Sequence, residues 1–258
     1  MSQLLRTLTL SLLILSKAPA FAAVQQDVSK KQEKPKESAN QISPKLFKHS
    51  LSGLYGIEPV SFHTIQPIND FDALYAQAES AQAELENICK TTAMLTNTTP
   101  EFAGVKSKER AKIKVNTELN GQANQITDLA RATLVADDIE GLVSAYETLA
   151  RETNIVKVKN RFKTPAPSGY RDLNVLIELP ESKHIAEVQL HLRSIAEVKS
   201  GPEHDLYEAI QGIERLAVSE SRMLTEYEIH RITSLRRQSL ELYQDAWQPY
   251  ITTEIRAA

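Results

Sequence analysis

Three segments concentrate residue types that could handle phosphates. The first, Val105–Lys114, carries Lys106, Lys108, Arg110, Lys112 and Lys114 within one short run. The second, Ile126–Thr133, places Asp128 shortly before Arg131. The third, Arg161–Asn174, strings Pro165, Pro167 and Gly169 between Arg161, Lys163 and Arg171 and presents Tyr170; Ala186–Leu190 follows, with Glu187 and Gln189 either side of Val188. Guanidinium and ammonium groups are the usual partners of phosphate oxygens. Taken singly, each feature has a plainer reading. A basic run is normally a solvated helix face, a lone carboxylate a surface acid, and a loop tyrosine a cap on the core. Their joint order along the chain favours chemistry.

Other chemistries find little support. There is no Gly-rich phosphate loop and no serine nucleophile elbow. Cys89 is the sole cysteine, so neither an intramolecular disulfide nor a cysteine-based zinc site is available. His184 and His191 flank Glu187 but lack ligand spacing to a third partner. The His204-Asp205 pair lacks the spaced upstream ligands of a metal-dependent hydrolase, and His204 reads as a helix-start residue. A net charge of −3 leaves no broad field for nucleic acid, so a polyanion site must be a local pocket.

The elements that must position these residues are legible in outline. With 258 residues and 41% hydrophobic content, the chain suits one compact domain with appendages, or at most two small domains. Helical spacing predicts a helix over Asp70–Leu95, with Asp70 as N-cap, and a basic helix over Ser107–Thr117. A strand is expected near Ala132–Val135 and a helix capped by Asp138 through Ala150. Ile155–Phe162 alternates as a half-buried strand should. Leu173–Leu179 and Ile185–Leu190 read as a hairpin across the turn at Pro180–Lys183. A helix begins near Ile195, and helices follow over Asp205–Arg215 and Ser219–Tyr243. Asn97–Gly104 reads as a loop, and Leu46–Pro67 has no assignment. This order predicts an α+β fold, a small mixed β-sheet flanked by helices, with helical N- and C-terminal extensions.

The three segments, in this order and wording, resemble the RelA/SpoT-like nucleotidyltransferase domain. The Pro-x-Pro-x-Gly-Tyr piece followed by Glu-Val-Gln is the most specific part, and Gly201–Glu208 is similar to a toxin or effector branch of that family. The resemblance covers somewhat under half the chain, roughly Val105 to Ile210. Synthetases of the family transfer pyrophosphate from ATP to the 3′-hydroxyl of a guanine nucleotide. What the resemblance implies here is a Mg²⁺ site at Asp128 and Glu187, the same two residues being catalytic. It also implies nucleotide-binding roles for Lys106, Arg110, Lys114, Arg131, Lys163, Tyr170, Arg171 and Gln189, with Tyr170 stacking on the acceptor base. Magnesium prefers oxygen ligands and is commonly held by one or two carboxylates plus phosphates. Departures cluster at substrate contacts: Gly104 stands where the family has Arg, Arg110 where it has Ser, and Ala166, Ser168 and Asn174 where it has Lys, Asn and His. Arg131 and Thr133 reverse the family's order of small residue and Arg.

The N-terminus predicts export. Arg6, the apolar run Leu8–Leu15 and the Ala20-Phe21-Ala22 pattern read as a secretory signal peptide over residues 1–22, the plainer alternative being a buried N-terminal helix or an uncleaved anchor. The expected organisation continues with a disordered linker at 23–45, a helical extension at 46–100, the RelA/SpoT-like domain at 101–215 and a helical extension at 216–258. The mature chain is expected to be periplasmic or secreted, without a membrane partner. The leading function is an exported effector or toxin that uses ATP and a nucleotide or RNA acceptor. Its rivals are an inactive nucleotide- or RNA-binding module of the same fold and, third, a structural envelope protein. The sequence leaves the oligomeric state open.

Overall fold

A computed structural model describes residues 48–62 and 64–252; the expected signal peptide and linker lie outside them. The elements in chain order are α1 (Leu51–Gly56), β1 (Val60–Ser61), α2 (Phe71–Ala76), α3 (Ala78–Thr96), β2 (Thr99–Glu101) and α4 (Lys108–Glu118). Next come a 3₁₀ turn (Ala123–Gln125), β3 (Arg131–Ala136), α5 (Ile139–Glu152), β4 (Asn154–Asn160), β5 (Leu173–Glu178) and β6 (Ile185–Leu192). The last three are α6 (Arg193–Ser200), α7 (Pro202–Ser219) and α8 (Glu226–Thr252).

Among the described residues, six strands form one sheet in the order β1-β4-β5-β6-β3-β2. Only β3 and β6 run parallel; the other pairs are antiparallel, so the sheet is mixed, as the sequence predicts. Strand alternation gives the sheet two unlike faces. Ala132, Leu134, Val158, Val175, Ile177, Val188 and Leu190 are buried in the main core, which α3 and α5 share. Each helix buries a stripe at three-to-four residue spacing: Ala81, Leu85 and Cys89 on α3, and Leu142, Ala145 and Leu149 on α5. A fully buried leucine of this kind contributes about 1.5–3 kcal/mol. Burial, and then Glu86, push the Cys89 thiol up to about 12, so it behaves as a small apolar core residue rather than a nucleophile.

Side chains start the helices where the sequence predicts. Asp70, Ser107 and Asp138 accept hydrogen bonds from the backbone N–H groups of Ala73, Arg110 and Gly141. The structure differs in three places. The expected helix from Asp70 is broken at Gln77, whose N–H donates to the Leu74 and Tyr75 carbonyls and ends α2. The Asn97–Gly104 segment is not wholly a loop: Thr99–Glu101 forms edge strand β2 against Thr133–Val135. Its Pro100 hides it from a propensity reading, and proline is tolerated because this is an edge. The last helix begins at Glu226, not Ser219, and runs on through Trp247.

The segments before residue 101 and after residue 215 pack into the main core through Leu54, Leu85, Tyr243 and Trp247. Trp247 lies 5.5 Å from the Phe162 ring. Farther along, α7 and α8 hold a smaller cluster of Ile210, Ile232 and Leu235. Among the described residues no helix is long and apolar enough to cross a membrane.

Candidate functional site

The second face of the sheet is polar. Register lays two rows across it, Lys157–Leu176–Glu187–Arg131 and Lys159–Asn174–Gln189–Thr133. A bulge between Ile155 and Lys157 in β4 resets the alternation and brings both lysines to this face. Glu187 sits near the centre, its backbone N–H donating to the Ala130 carbonyl at 3.0 Å. Gln189 donates from Nε2 to Glu187 Oε1 at 2.7 Å and accepts from Lys199 Nζ at 2.8 Å. Glu187, Gln189, Arg131, Thr133, Lys199 and Phe102 line a cavity of about 350 Å³. The Arg131 Nε within this wall is buried without a partner.

Asp128 lies just ahead of β3, the strand that runs parallel to Glu187's own. Its Oδ2 accepts from Lys106 Nζ at 2.9 Å and Lys114 Nζ at 2.8 Å, while Oδ1 is buried without a partner. Lys106 is itself fixed, its N–H donating to Leu129 and its carbonyl accepting from the Tyr75 hydroxyl. Burial alone would raise the Asp128 carboxyl, but hydrogen bonds and charge from Lys114 and Lys106 outweigh it and hold the group below the usual carboxylate range. The carboxylate is therefore ionised at neutral pH.

Asp128 and Glu187 are the residues that could hold magnesium. Asp128 offers a buried oxygen with no partner, and Glu187 a second carboxylate. Among the described residues no group of three or more His, Cys, Asp or Glu is gathered, so such an ion would depend on substrate phosphate oxygens for its remaining ligands.

Tyr170 stands at the edge of the same face, locked by a buried network. Its hydroxyl lies 2.8 Å from Asp172 Oδ2 and 2.6 Å from His191 Nε2. Asp172, fully buried, also accepts two hydrogen bonds from Arg161 at 2.6 and 2.7 Å. Arg161 and Lys199 approach the Tyr170 ring at 5.2 and 5.8 Å from its centroid. Burial, and then Asp172, push the phenol well above its ordinary value, so it stays protonated. Gly169 makes the approach possible. With φ +84°, it lets α8 pass so close that a Cβ would lie 2.9 Å from Leu240 Cδ1 and 3.2 Å from Tyr243 Cβ.

The structure thus gathers Asp128, Lys106 and Lys114 in one cluster and Glu187, Gln189 and Arg131 in another, with Tyr170 linked to the second through Lys199. It does not bring in the remaining candidates. Arg110 is exposed on α4, one turn before Lys114. Lys163 pairs with Glu58 at 3.4 Å. Arg171, out of phase with Tyr170, donates to the Phe162 carbonyl and lies over the Trp247 ring. Two residues escaped the sequence reading. His191 carries a signal, because it is in phase with Glu187 and Gln189 and must share their face. Lys199 carries none, because only the tertiary fold returns α6 to β6.

No family model matches the chain. Sequence relatives nonetheless point to a class: the central part of the chain is similar to alarmone-synthesising proteins, in keeping with its resemblance to the RelA/SpoT-like domain. One relative is the (p)ppApp synthetase toxin Tas1 of Pseudomonas aeruginosa, 31% identical over 104 residues, or 40% of this chain and 23% of Tas1. Another is the GTP pyrophosphokinase YwaC of Bacillus subtilis, 29% identical over 89 residues, or 32% of this chain and 42% of YwaC. The chain therefore matches less than half the length of either relative. Among solved structures, small alarmone synthetase 2 from Bacillus subtilis has a TM-score of 0.55 at 21% identity, covering 71% of this chain and 96% of its own. The Type VI effector Tas1, solved with its immunity protein, has a TM-score of 0.51 at 21% identity, covering 69% and 96%. These two likenesses establish the fold.

Proposed function

We propose that this protein transfers pyrophosphate from ATP to a hydroxyl of a nucleotide or RNA acceptor. One observation carries the reading. Asp128 is held between Lys106 and Lys114 with one oxygen bare, immediately before the strand that pairs with Glu187. In the transfer the acceptor oxygen bonds to the β-phosphorus of ATP, the bridging α–β P–O bond breaks, and AMP leaves. Lys106 and Lys114 hold the donor's phosphates, with Arg131 lining the adjoining wall. Glu187 takes the hydroxyl proton, its Oε1 being steadied by Gln189. Magnesium held by Asp128 and Glu187, when bound, would offset the charge on the transferring group. Tyr170 offers its ring to the acceptor base.

The expected signal peptide would carry this activity outside the cytoplasm that made it, where ATP is scarce. An exported effector or toxin delivered into another cell reconciles compartment with chemistry, and the relative Tas1 is named a toxin. A second reading, an inactive nucleotide- or RNA-binding module, is favoured by the Tyr170 ring, flanked by Arg161 and Lys199. Mass spectrometry of the mature protein with magnesium, ATP, a panel of guanine and adenine nucleotides and RNA distinguishes them. A product heavier by one pyrophosphate supports transfer; an unchanged mixture with folded protein supports the binding module.

A further inference from the structure

Lys199 belongs to no expected site, yet it has an unusual position. It reaches back from the end of α6 to the polar face, half-buried, and lines the 350 Å³ cavity beside Glu187. Its ammonium donates to Gln189 Oε1 at 2.8 Å, and Gln189 spends its Nε2 on Glu187 Oε1 at 2.7 Å. The resulting chain, Lys199–Gln189–Glu187, has one consistent polarity. An ammonium only donates and a carboxylate only accepts, so the amide between them can point only one way. Its oxygen must face Lys199 and its NH₂ must face Glu187. Without Lys199 half of that constraint is gone. The carboxylate alone would still select the NH₂, but the amide oxygen would lose its anchor, and the donor that fixes the Glu187 rotamer would be held from one side only.

We infer that Lys199 is a positioning residue, setting the Gln189 amide so that it holds Glu187 in place for an acceptor bound in the cavity. This rests on the transfer reading for the role of Glu187, although the hydrogen-bond chain itself does not. The groups around the ammonium are Glu187, Gln189, Asp172, Arg161 and Glu101, with the Tyr170 ring 5.8 Å away. These carboxylates act on Lys199 through charge alone, and the neutral amide is the group that anchors it.

The test is a double-mutant cycle in the full chain with Lys199→Met, Gln189→Ala and both together, plus Lys199→Arg. Steady-state transfer and calorimetric binding of GDP and ADP are both measured. Lys199→Met is expected to lower kcat for transfer roughly 10- to 100-fold, the range of one charge-assisted hydrogen bond, with the donor KM nearly unchanged. The double variant should be no worse than Gln189→Ala alone, because the lysine acts through the amide. Lys199→Arg should restore most of the loss. Strictly additive losses, or a Lys199→Met defect confined to the melting temperature, overturn the inference. The two claims separate cleanly. If the wild type binds a nucleotide but transfers nothing, the transfer reading falls, and non-additive binding losses in the cycle still support the Lys199–Gln189 coupling. If the wild type transfers and the cycle is additive, only the coupling falls. Failure of the wild type to bind any nucleotide overturns both.

Discussion

Replacing Gly169 by alanine should detach the loop that ends at Tyr170 from α8. Two costs combine. The residue has φ +84°, a left-handed conformation that costs an L-residue about 1–2 kcal/mol. The new Cβ would also stand 2.9 Å from Leu240 Cδ1, 3.2 Å from Tyr243 Cβ and 3.4 Å from Leu240 Cα. The first atom can swing away, but the other two belong to the helix frame, and overpacking of this kind costs about 1–3 kcal/mol. The sum, about 2–5 kcal/mol, corresponds to a fall in Tm of roughly 5–15 °C for a domain of this size. Gly104 supplies the control. It has φ +66°, and a Cβ there would meet nothing within 4 Å, so Gly104→Ala carries the backbone cost alone. Differential scanning calorimetry of the two variants isolates the contact with α8. Equal losses in Gly169→Ala and Gly104→Ala would refute the reasoning.

Two further substitutions probe the network around Tyr170. Asp172→Ala removes a fully buried carboxylate and leaves Arg161 without its partner; the expected loss is about 3 kcal/mol, the lower end for a broken buried pair because Arg161 is partly solvated. A urea-derived change below about 1 kcal/mol would show that the pair is not structural. His191 is buried beside Tyr170, and burial first, then Lys199 and Arg161, hold its pKa well below the usual histidine value. Its neutral form is therefore the native one. The associated stability is fully present above the unfolded pKa of about 6.5 and is lost as pH falls below it. Between about pH 7.5 and 5.5 the wild type should lose more stability than His191→Gln. Parallel pH profiles of the two proteins would contradict the assignment.

Much of the fold is legible in the sequence because local rules decide it. Asp70, Ser107 and Asp138 announce their helices, the period-two pattern announces β4, and two strand-like runs across a turn announce the hairpin of β5 and β6. What escaped depends on distant contacts. Edge strand β2 contains Pro100, and only its pairing with β3 makes it a strand. The break at Gln77 follows from backbone bonds within α2 rather than from any breaker residue. Among the site residues, Asp128 with its two lysines and Glu187 with Gln189 come from segments whose joint order is recognisable. Arg171 illustrates the limit: it neighbours Tyr170 in sequence, but the alternation of extended chain turns it to the Trp247 side. Lys199 illustrates the converse, being remote in pattern from Glu187 yet one amide away in space.

The central claim is that Asp128 and Glu187 act in pyrophosphate transfer rather than merely in holding a nucleotide. Its most direct test compares wild type, Asp128→Ala and Glu187→Ala for transfer from ATP, with calorimetric binding of the acceptor nucleotide measured on the same preparations. Transfer by the wild type, lost in both variants while Glu187→Ala still binds the acceptor, is the predicted result. Wild-type protein that binds nucleotide without transferring pyrophosphate, or a Glu187→Ala variant that transfers at the wild-type rate, would contradict it.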